Sequence, residues 1–438
     1  MALTSIEGRT GAGGPAIIRA ERVQVEAQAS VLITGLRLRN VRGFRELDVR
    51  IAPAGEPDTP RPVTLVIGKN GTNKSTLLRA VALCLADPTE ASSMLSQPLG
   101  SMVRAGAEVA TIEVDVVGSD GATATLRREV AANGDKDFLA MSDVPKAPPV
   151  FVCGYGAGRG TFGSDSGREY RVDDACASLY DYGRELIHPE LTLRRLRDYL
   201  GSRRYEYTLA GITRVLDLGP EDRIELPVGG GVRLVGPGLG SGVPLDGWAD
   251  GYRLTFLWLL DFYGRAMRAN QIDGGGLVRG IVLIDEVDQH LHPSLQAAII
   301  PRLAALLPAA QIVATTHSQL VALGADPSEL IMLQRGDDEV VVELDVPDYR
   351  GYSAEDMLAD DRLFDTSVYA PDTEQELTRY EELVGKGPSR RTRQEERELA
   401  SLARRMRAQP LPPTVNEKVV AAMAEIDRRS RVPRRPGA

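Results

Sequence analysis

The sequence predicts an α/β fold with a mostly parallel sheet, and three stretches carry the prediction. Val63-Thr-Leu-Val-Ile67 is a β-branched apolar run that enters a glycine-rich turn and then an apolar helix reaching Leu85. Gly280-Ile-Val-Leu-Ile284 is a second such run and ends in Asp285-Glu286. Gln311-Ile-Val-Ala-Thr-Thr316 is a third and ends in His317. Short apolar runs without alternation mark strands buried on both faces, which is how the strands of a parallel sheet lie.

The elements follow in order. Residues 1–30 are rich in Gly and Ala, show no sustained period, and are expected to form a poorly ordered extension. Antiparallel N-terminal strands are expected at Leu36-Arg-Leu-Arg39 and Leu47-Asp-Val-Arg-Ile51, where apolar and polar residues alternate, with a bend at 40–45. A Pro-rich loop over 52–62 leads to the first buried strand. Residues 110–117 and 123–130 alternate again and predict a hairpin about Gly118-Ser-Asp-Gly121. Residues 149–153 predict a strand that runs into a flexible loop, Gly154-Tyr-Gly-Ala-Gly-Arg-Gly160, carrying Tyr155 and Arg159. Residues 175–214 read as largely helical, with Leu191, Leu193, Leu196 and Leu200 at helical spacing. With the glycine-rich run at 223–242 they make a small helical lid inserted at about 165–245. Residues 251–267 and 293–307 read as helices, 330–333 and 340–344 as closing strands. The chain beyond about 347 reads as a helical, polar C-terminal region.

Composition sets bounds. A chain of 438 residues, 43% hydrophobic and 26% charged, suits a soluble protein of one large or two to three ordinary domains. A net charge of −9 argues against nucleic-acid binding by the molecule as a whole, while leaving local patches open. Cys84, Cys153 and Cys176 are scattered and odd in number, which favours a reducing compartment over a disulfide frame or a zinc site. No apolar run has membrane-spanning length and the N-terminus lacks a leader pattern, so a cytoplasmic protein with no membrane partner is expected.

The chemistry concentrates at the strand ends. Gly68-Lys-Asn-Gly-Thr-Asn-Lys74-Ser75 follows the phosphate-binding pattern G-x-x-x-x-G-K-[ST], with Asn73 in place of the second glycine. Backbone N–H groups of such a loop and the helix start behind it present partial positive charge to a polyphosphate. Lys74 is expected to reach the outer phosphates and Ser75 to hold Mg²⁺, with Gly68, Asn70, Gly71, Asn73 and Thr76 completing the nucleotide-binding segment. Asn tolerates left-handed backbone angles better than most residues, so the loop still closes. Asp285 is expected in the Mg²⁺ shell, and Glu286 as the base that activates water. His317 would hydrogen-bond the γ-phosphate or orient that water. ATP and Mg²⁺ are therefore the expected ligands. The run Asp288-Gln-His-Leu-His292 has the wrong spacing and no partner ligand for a separate metal site.

The stretch VLITGLRLRNVRGFRELDVRI, residues 31–51, is similar to the opening strands of ABC-type ATPase heads of the structural-maintenance-of-chromosomes and repair class. Within that class, GIVLIDEVDQHLHPSLQ and IVATTHSQLV resemble the overcoming-lysogenization-defect (OLD-like) ATPases, compact P-loop NTPase heads of bacterial antiphage systems. The resemblance covers residues 31 to about 335. It implies a signature segment at Ala249, Asp250 and Gly251 that contacts the γ-phosphate held by a partner protomer, with Ala249 standing where the family has Ser. It also implies Arg42 near the nucleotide, Gln97 as the glutamine that senses Mg²⁺, and a homodimer of heads with ATP sandwiched between them. No long heptad arm interrupts the head, and no acidic cluster of a Toprim nuclease follows it. The region from 347 resembles the ends of stand-alone defence ATPases, such as Septu-like and retron-associated subunits. That resemblance implies a separately encoded effector, a nuclease, contacted through 347–438.

Two other readings stay open. One is a DNA-binding, repair-type ATPase whose C-terminal arginines, Arg390, Arg391, Arg393, Arg404, Arg405 and Arg407 among them, contact nucleic acid; Glu395, Glu396 and Glu398 on the same segment fit a solvated face instead. The other is an ATP-dependent scaffold with little turnover, suggested by Asn73 and Ala249.

Overall fold

A computed structural model describes residues 31–408, apart from 53–55, 57–58, 87–90, 92–98, 133–149, 164–173, 337, 344–345, 361, 365 and 368. The expectations for residues 1–30 and for Gln97 lie outside the described residues. In chain order the elements are β1 (Val31–Val41), β2 (Phe44–Arg50), β3 (Val63–Ile67), α1 (Lys74–Leu85), β4 (Val109–Gly118), β5 (Thr123–Ala131), β6 (Val152–Tyr155), α2 (Pro189–Leu200) and α3 (Ser202–Val215). There follow β7 (Arg223–Glu225), β8 (Arg233–Val235), β9 (Val243–Pro244), α4 (Asp250–Arg268), β10 (Gly280–Ile284), α5 (Pro293–Gln296), α6 (Ile299–Leu306), β11 (Ala310–Thr316), α7 (Gln319–Leu323), β12 (Leu330–Arg335), β13 (Val340–Glu343) and α8 (Ala354–Ala359).

Two sheets are stacked on a shared core. The first is antiparallel, in the order β2-β1-β4-β5. The second has the order β13-β12-β3-β11-β10-β6; every neighbouring pair in it is parallel except β12–β13. The two-residue period of a strand divides its buried side chains between two layers. Val66, Ile281, Leu283 and Val313 face the layer shared with the antiparallel sheet and α1, while Leu65, Ile67, Val282, Ile284, Ile312 and Ala314 face the layer shared with α4. Burying each of these side chains other than Ala314 contributes roughly 1.5–3 kcal/mol. One buried polar residue ties the sheets together. The Gln311 amide accepts from the Ile33 N–H at 2.7 Å and donates to the carbonyls of Ile33 at 2.7 Å and Arg61 at 3.0 Å. That contact sits where the β1–β4 register slips, between Ile33 and Gly35.

The fold is the α/β arrangement with a mostly parallel sheet and antiparallel N-terminal strands that the sequence predicts. Three local expectations need correction. The segment 175–214 is not one helical stretch: a short turn at Ala177–Leu179 is followed by irregular chain, and helix begins only at Pro189, whose fixed φ and missing N–H suit a first helical position. Gly201, at φ 73, then separates α2 from α3. The expected helix at 293–307 breaks at Ala297-Ala298, since a proline ring clashes with the carbonyl four residues back and Pro301 stands four after Ala297. The strand expected at 149–153 runs instead over Val152–Tyr155. The inserted segment also carries a three-stranded antiparallel sheet, β7-β8-β9, beside its helices.

The compact unit that holds both sheets ends at Phe364, and the second begins at Asp365. Tyr349, Met357, Leu363 and Phe364 are buried in the core of the first, so the chain between 347 and 364 belongs with the head. The second unit contains α9 (Pro371–Gly385) and α10 (Arg393–Ala408). Leu383 and Leu402 are buried there, and ion pairs Arg379–Glu398 at 2.9 Å and Arg405–Glu376 at 2.9 Å join the helices. Part of the arginine cluster is thus engaged within its own unit.

Candidate active site

The neighbour order β3-β11-β10-β6 sets the site. Ile67 is paired with Thr316, Ala314 with Ile284, and Ile284 with Tyr155, so four strands end side by side. Parallel sheets bind ligands beyond such carboxyl ends, where loops and helix starts converge.

The first of these is the phosphate loop. The Cβ that Gly68 lacks would lie 2.4 Å from the Leu333 carbonyl oxygen of β12, which only glycine permits. Asn73 occupies the left-handed region at φ 62, ψ 26 and its side-chain oxygen accepts from the Thr76 hydroxyl at 3.3 Å. Lys74 is buried and folds back over the loop, its Nζ donating to the carbonyls of Gly68 at 2.7 Å and Lys69 at 3.1 Å. Burial lowers its pKa, an effect that Asp285, Glu286 and Asp288 oppose. No acid stands in the first turn of α1, so its N–H groups keep their positive end for an anion. Ser75 opens that helix next to Lys74, and Asn70 and Gly71 form the exposed tip of the loop.

At the end of β10, Asp285 is 1% exposed. Its carboxylate accepts from the Thr315 hydroxyl at 2.6 Å, and the same hydroxyl accepts from the Glu286 N–H at 2.9 Å. Glu286 stands in the left-handed region at φ 49, where a non-glycine residue costs of order 1–3 kcal/mol. Asp288 is buried and accepts from the Thr316 hydroxyl. His317 is half exposed, with its Nε2 3.5 Å from Asp288.

The end of β6 supplies residues to which sequence reasoning assigned no role. Tyr155 is fully buried; its carbonyl accepts from the Asp285 N–H at 2.8 Å, and its hydroxyl donates to Asp261 of α4 at 2.8 Å. Arg265, 2.7 Å from Asp261, completes that buried pair. Arg159 crosses to the backbone of Asp285 and Glu286. The only sequence signal for these contacts was a glycine-rich loop after an apolar run.

Two expected site residues lie differently. The Arg42 guanidinium donates through Nε to the Ser101 carbonyl at 3.0 Å, although the adjoining Gly43 packs on Asn73 of the phosphate loop. Ala249 is the N-cap of α4, with extended backbone angles and no side-chain cap, and Asp250 is paired with Arg253 at 3.0 Å. Gly251 faces its own head: an added Cβ would lie 2.5 Å from the His290 carbonyl oxygen. A cavity of about 1180 Å³ opens elsewhere, beside Arg203, Tyr207 and Leu306, and includes none of the expected site residues. Among the described residues no helix is long and apolar enough to cross a membrane, and no cluster of three metal-binding side chains forms.

Residues 35–143 match a family model described as "AAA domain", and residues 174–323 one described as "AAA domain, putative AbiEii toxin, Type IV TA system". The chain is 24% identical to the Septu protein PtuA of Bacillus mycoides (strain KBAB4) over 367 residues, 83% of this chain and 49% of that protein. The chain is similar to ABC-type ATPases, with Septu and retron ATPases among its homologues. A second Septu protein PtuA, of Bacillus thuringiensis, is 41% identical over 95 residues, 20% of this chain and 24% of that protein. The "Retron Ec83 probable ATPase" of Escherichia coli is 46% identical over 67 residues, 15% of this chain and 12% of that protein. The chain thus spans about half the length or less of the curated relatives it matches. Among solved structures, the SMC head domain from Thermotoga maritima is 15% identical at a TM-score of 0.42, covering 72% of this chain and 98% of that one, a score too low to add to the fold described above.

Proposed function

We propose that this ATPase head binds and hydrolyses Mg-ATP and acts as the sensor or regulatory subunit of a bacterial antiphage defence complex, paired with a separately encoded nuclease effector. The observation that carries the reading is the convergence of Lys74, Asp285-Glu286 and Thr316-His317 at the ends of three adjacent strands. The donor set fits Mg²⁺: the Ser75 hydroxyl and the Asp285 carboxylate are hard oxygen ligands. Bound there, Mg²⁺ neutralises phosphate charge. The chain's own residues do the rest. Lys74 leaves the Gly68 and Lys69 carbonyls for the outer phosphates, the helix start and loop N–H groups orient them, Glu286 takes a proton from water, and His317, steadied by Asp288, holds that water or the γ-phosphate. Heads pair about a two-fold axis, so that the N-terminus of α4 on each closes over the nucleotide of the other.

The test is ATP turnover and binding by the full chain and by Glu286→Gln. The variant should bind ATP with near wild-type affinity and hydrolyse none; hydrolysis at the wild-type rate removes Glu286 as the base. The effector is tested by co-expression with the adjacent gene: co-purification that depends on residues 365–438 supports the pairing. DNA cleavage by the purified chain alone in Mg²⁺ or Mn²⁺ would refute this division of labour.

A further inference from the structure

We propose that Arg159 is a positioning residue that holds Glu286 in the backbone conformation from which it activates water, an inference that rests on the reading of Glu286 as the base. Glu286 adopts a left-handed angle, φ 49, that side chains seldom take, so something outside the residue must hold it there. Three contacts do so. Its N–H donates to the Thr315 hydroxyl at 2.9 Å, and its carbonyl accepts from Arg159 Nη2 at 2.9 Å and from the Gln289 N–H of the following turn at 3.0 Å. The preceding carbonyl, of Asp285, accepts from Arg159 Nη1 at 2.6 Å. One planar guanidinium therefore fixes two successive carbonyls, and with them the peptide plane between Asp285 and Glu286.

The surroundings of Arg159 are unusual for a buried cation. The residue is 3% exposed, and among the described residues it forms no ion pair with a carboxylate. Its remaining hydrogen bond, Nη1 to the Gly156 carbonyl at 3.0 Å, closes its own loop. A buried guanidinium is normally paired with an acid, whereas this one is directed at backbone carbonyls. Burial pushes its pKa down to about 10, while Asp285, Asp288 and Glu286 raise it, so it stays charged at neutral pH. The loop that carries it is tightly seated: a Cβ on Gly156 would lie 2.1 Å from the Ser178 carbonyl oxygen, and one on Gly158 2.4 Å from the Tyr182 Cβ. Arg159 thus reaches β10 from a rigid base.

The experiment compares Arg159→Ala, Arg159→Lys and Glu286→Gln in the full chain, reading kcat and the affinity for Mg-ATP separately. Loss of Arg159 should lower kcat on the order of 100-fold, the effect of misplacing a reacting group by about 1 Å, while ATP affinity stays near wild type. Lysine should not restore the rate, because one ammonium cannot bridge two carbonyls in a plane. Added guanidinium ion should partly rescue Arg159→Ala. Parallel loss of ATP affinity and kcat, without rescue by guanidinium ion, would overturn the proposal. Should Arg159→Ala fail to fold, Arg159→Lys decides by the same split between kcat and affinity. Wild-type turnover by Glu286→Gln would refute the reading of Glu286 and leave that failure distinct from a failure of Arg159.

Discussion

Replacing Gly251 by alanine tests how the start of α4 is seated. The new Cβ would lie 2.5 Å from the His290 carbonyl oxygen and 3.4 Å from the Leu291 Cα. A carbon–oxygen contact relaxes near about 3.2 Å, so helix or turn must move by roughly 0.7 Å. The obstacle is backbone and cannot rotate away. The turn that would move runs on from Asp288, which holds the Thr316 hydroxyl and stands 3.5 Å from His317. Overpacking of this kind destabilises by about 1–3 kcal/mol, and a displacement approaching 1 Å at reacting groups costs about 100-fold in rate. Gly251→Ala should therefore unfold at lower urea and turn over more slowly at every protein concentration, including those too dilute for heads to pair. Urea titration and a steady-state ATPase assay across a dilution series make the measurement. Stability and turnover equal to wild type would refute the reasoning. A substitution at Gly251, aspartate included, consequently disturbs a single head and cannot report on head pairing alone.

Two further outcomes are expected. Ala249→Ser places a hydroxyl at an N-cap whose backbone is already extended, so it should stabilise the head by about 1 kcal/mol and increase ATP-driven pairing in the Glu286→Gln background; thermal melts and light scattering check both, and no change in either removes the role given to this position. Lys74 has a pKa lowered chiefly by burial, so between its folded value and the ordinary lysine value the unfolded chain binds more protons, and the stability of the nucleotide-free protein should rise with pH across that window. Phosphates favour the charged lysine, so ATP binding should take up a proton there and weaken as pH rises; calorimetry in buffers of different ionisation enthalpy measures the uptake, which Lys74→Ala should abolish and whose absence in wild type would contradict the placement of Lys74.

Most strand positions were legible because a strand writes its period locally. The alternation at 110–117 and 123–130 returns as β4 and β5, and the three apolar runs return as β3, β10 and β11. Helix limits were less legible where proline intervened: Pro189 and Pro301 act on carbonyls and angles that apolar spacing does not report.

The sequence by itself determined which residues are candidates for the site, since Lys74, Ser75, Asp285, Glu286 and His317 are each adjacent in the chain to the strand or helix that presents them. Only the tertiary structure decided what stands beside what. Nothing in a periodic pattern states that β11 lies between β3 and β10, or that β6 borders β10. The contacts that depend on this order join residues far apart in sequence: Gln311 to Ile33, Tyr155 to Asp261, Arg159 to Asp285 and Gly251 to His290. Local propensity decides which residues form a strand, because the pleat is a property of neighbours in the chain. Which strands then pair, and which buried donor meets which carbonyl, follows from packing the whole core at once.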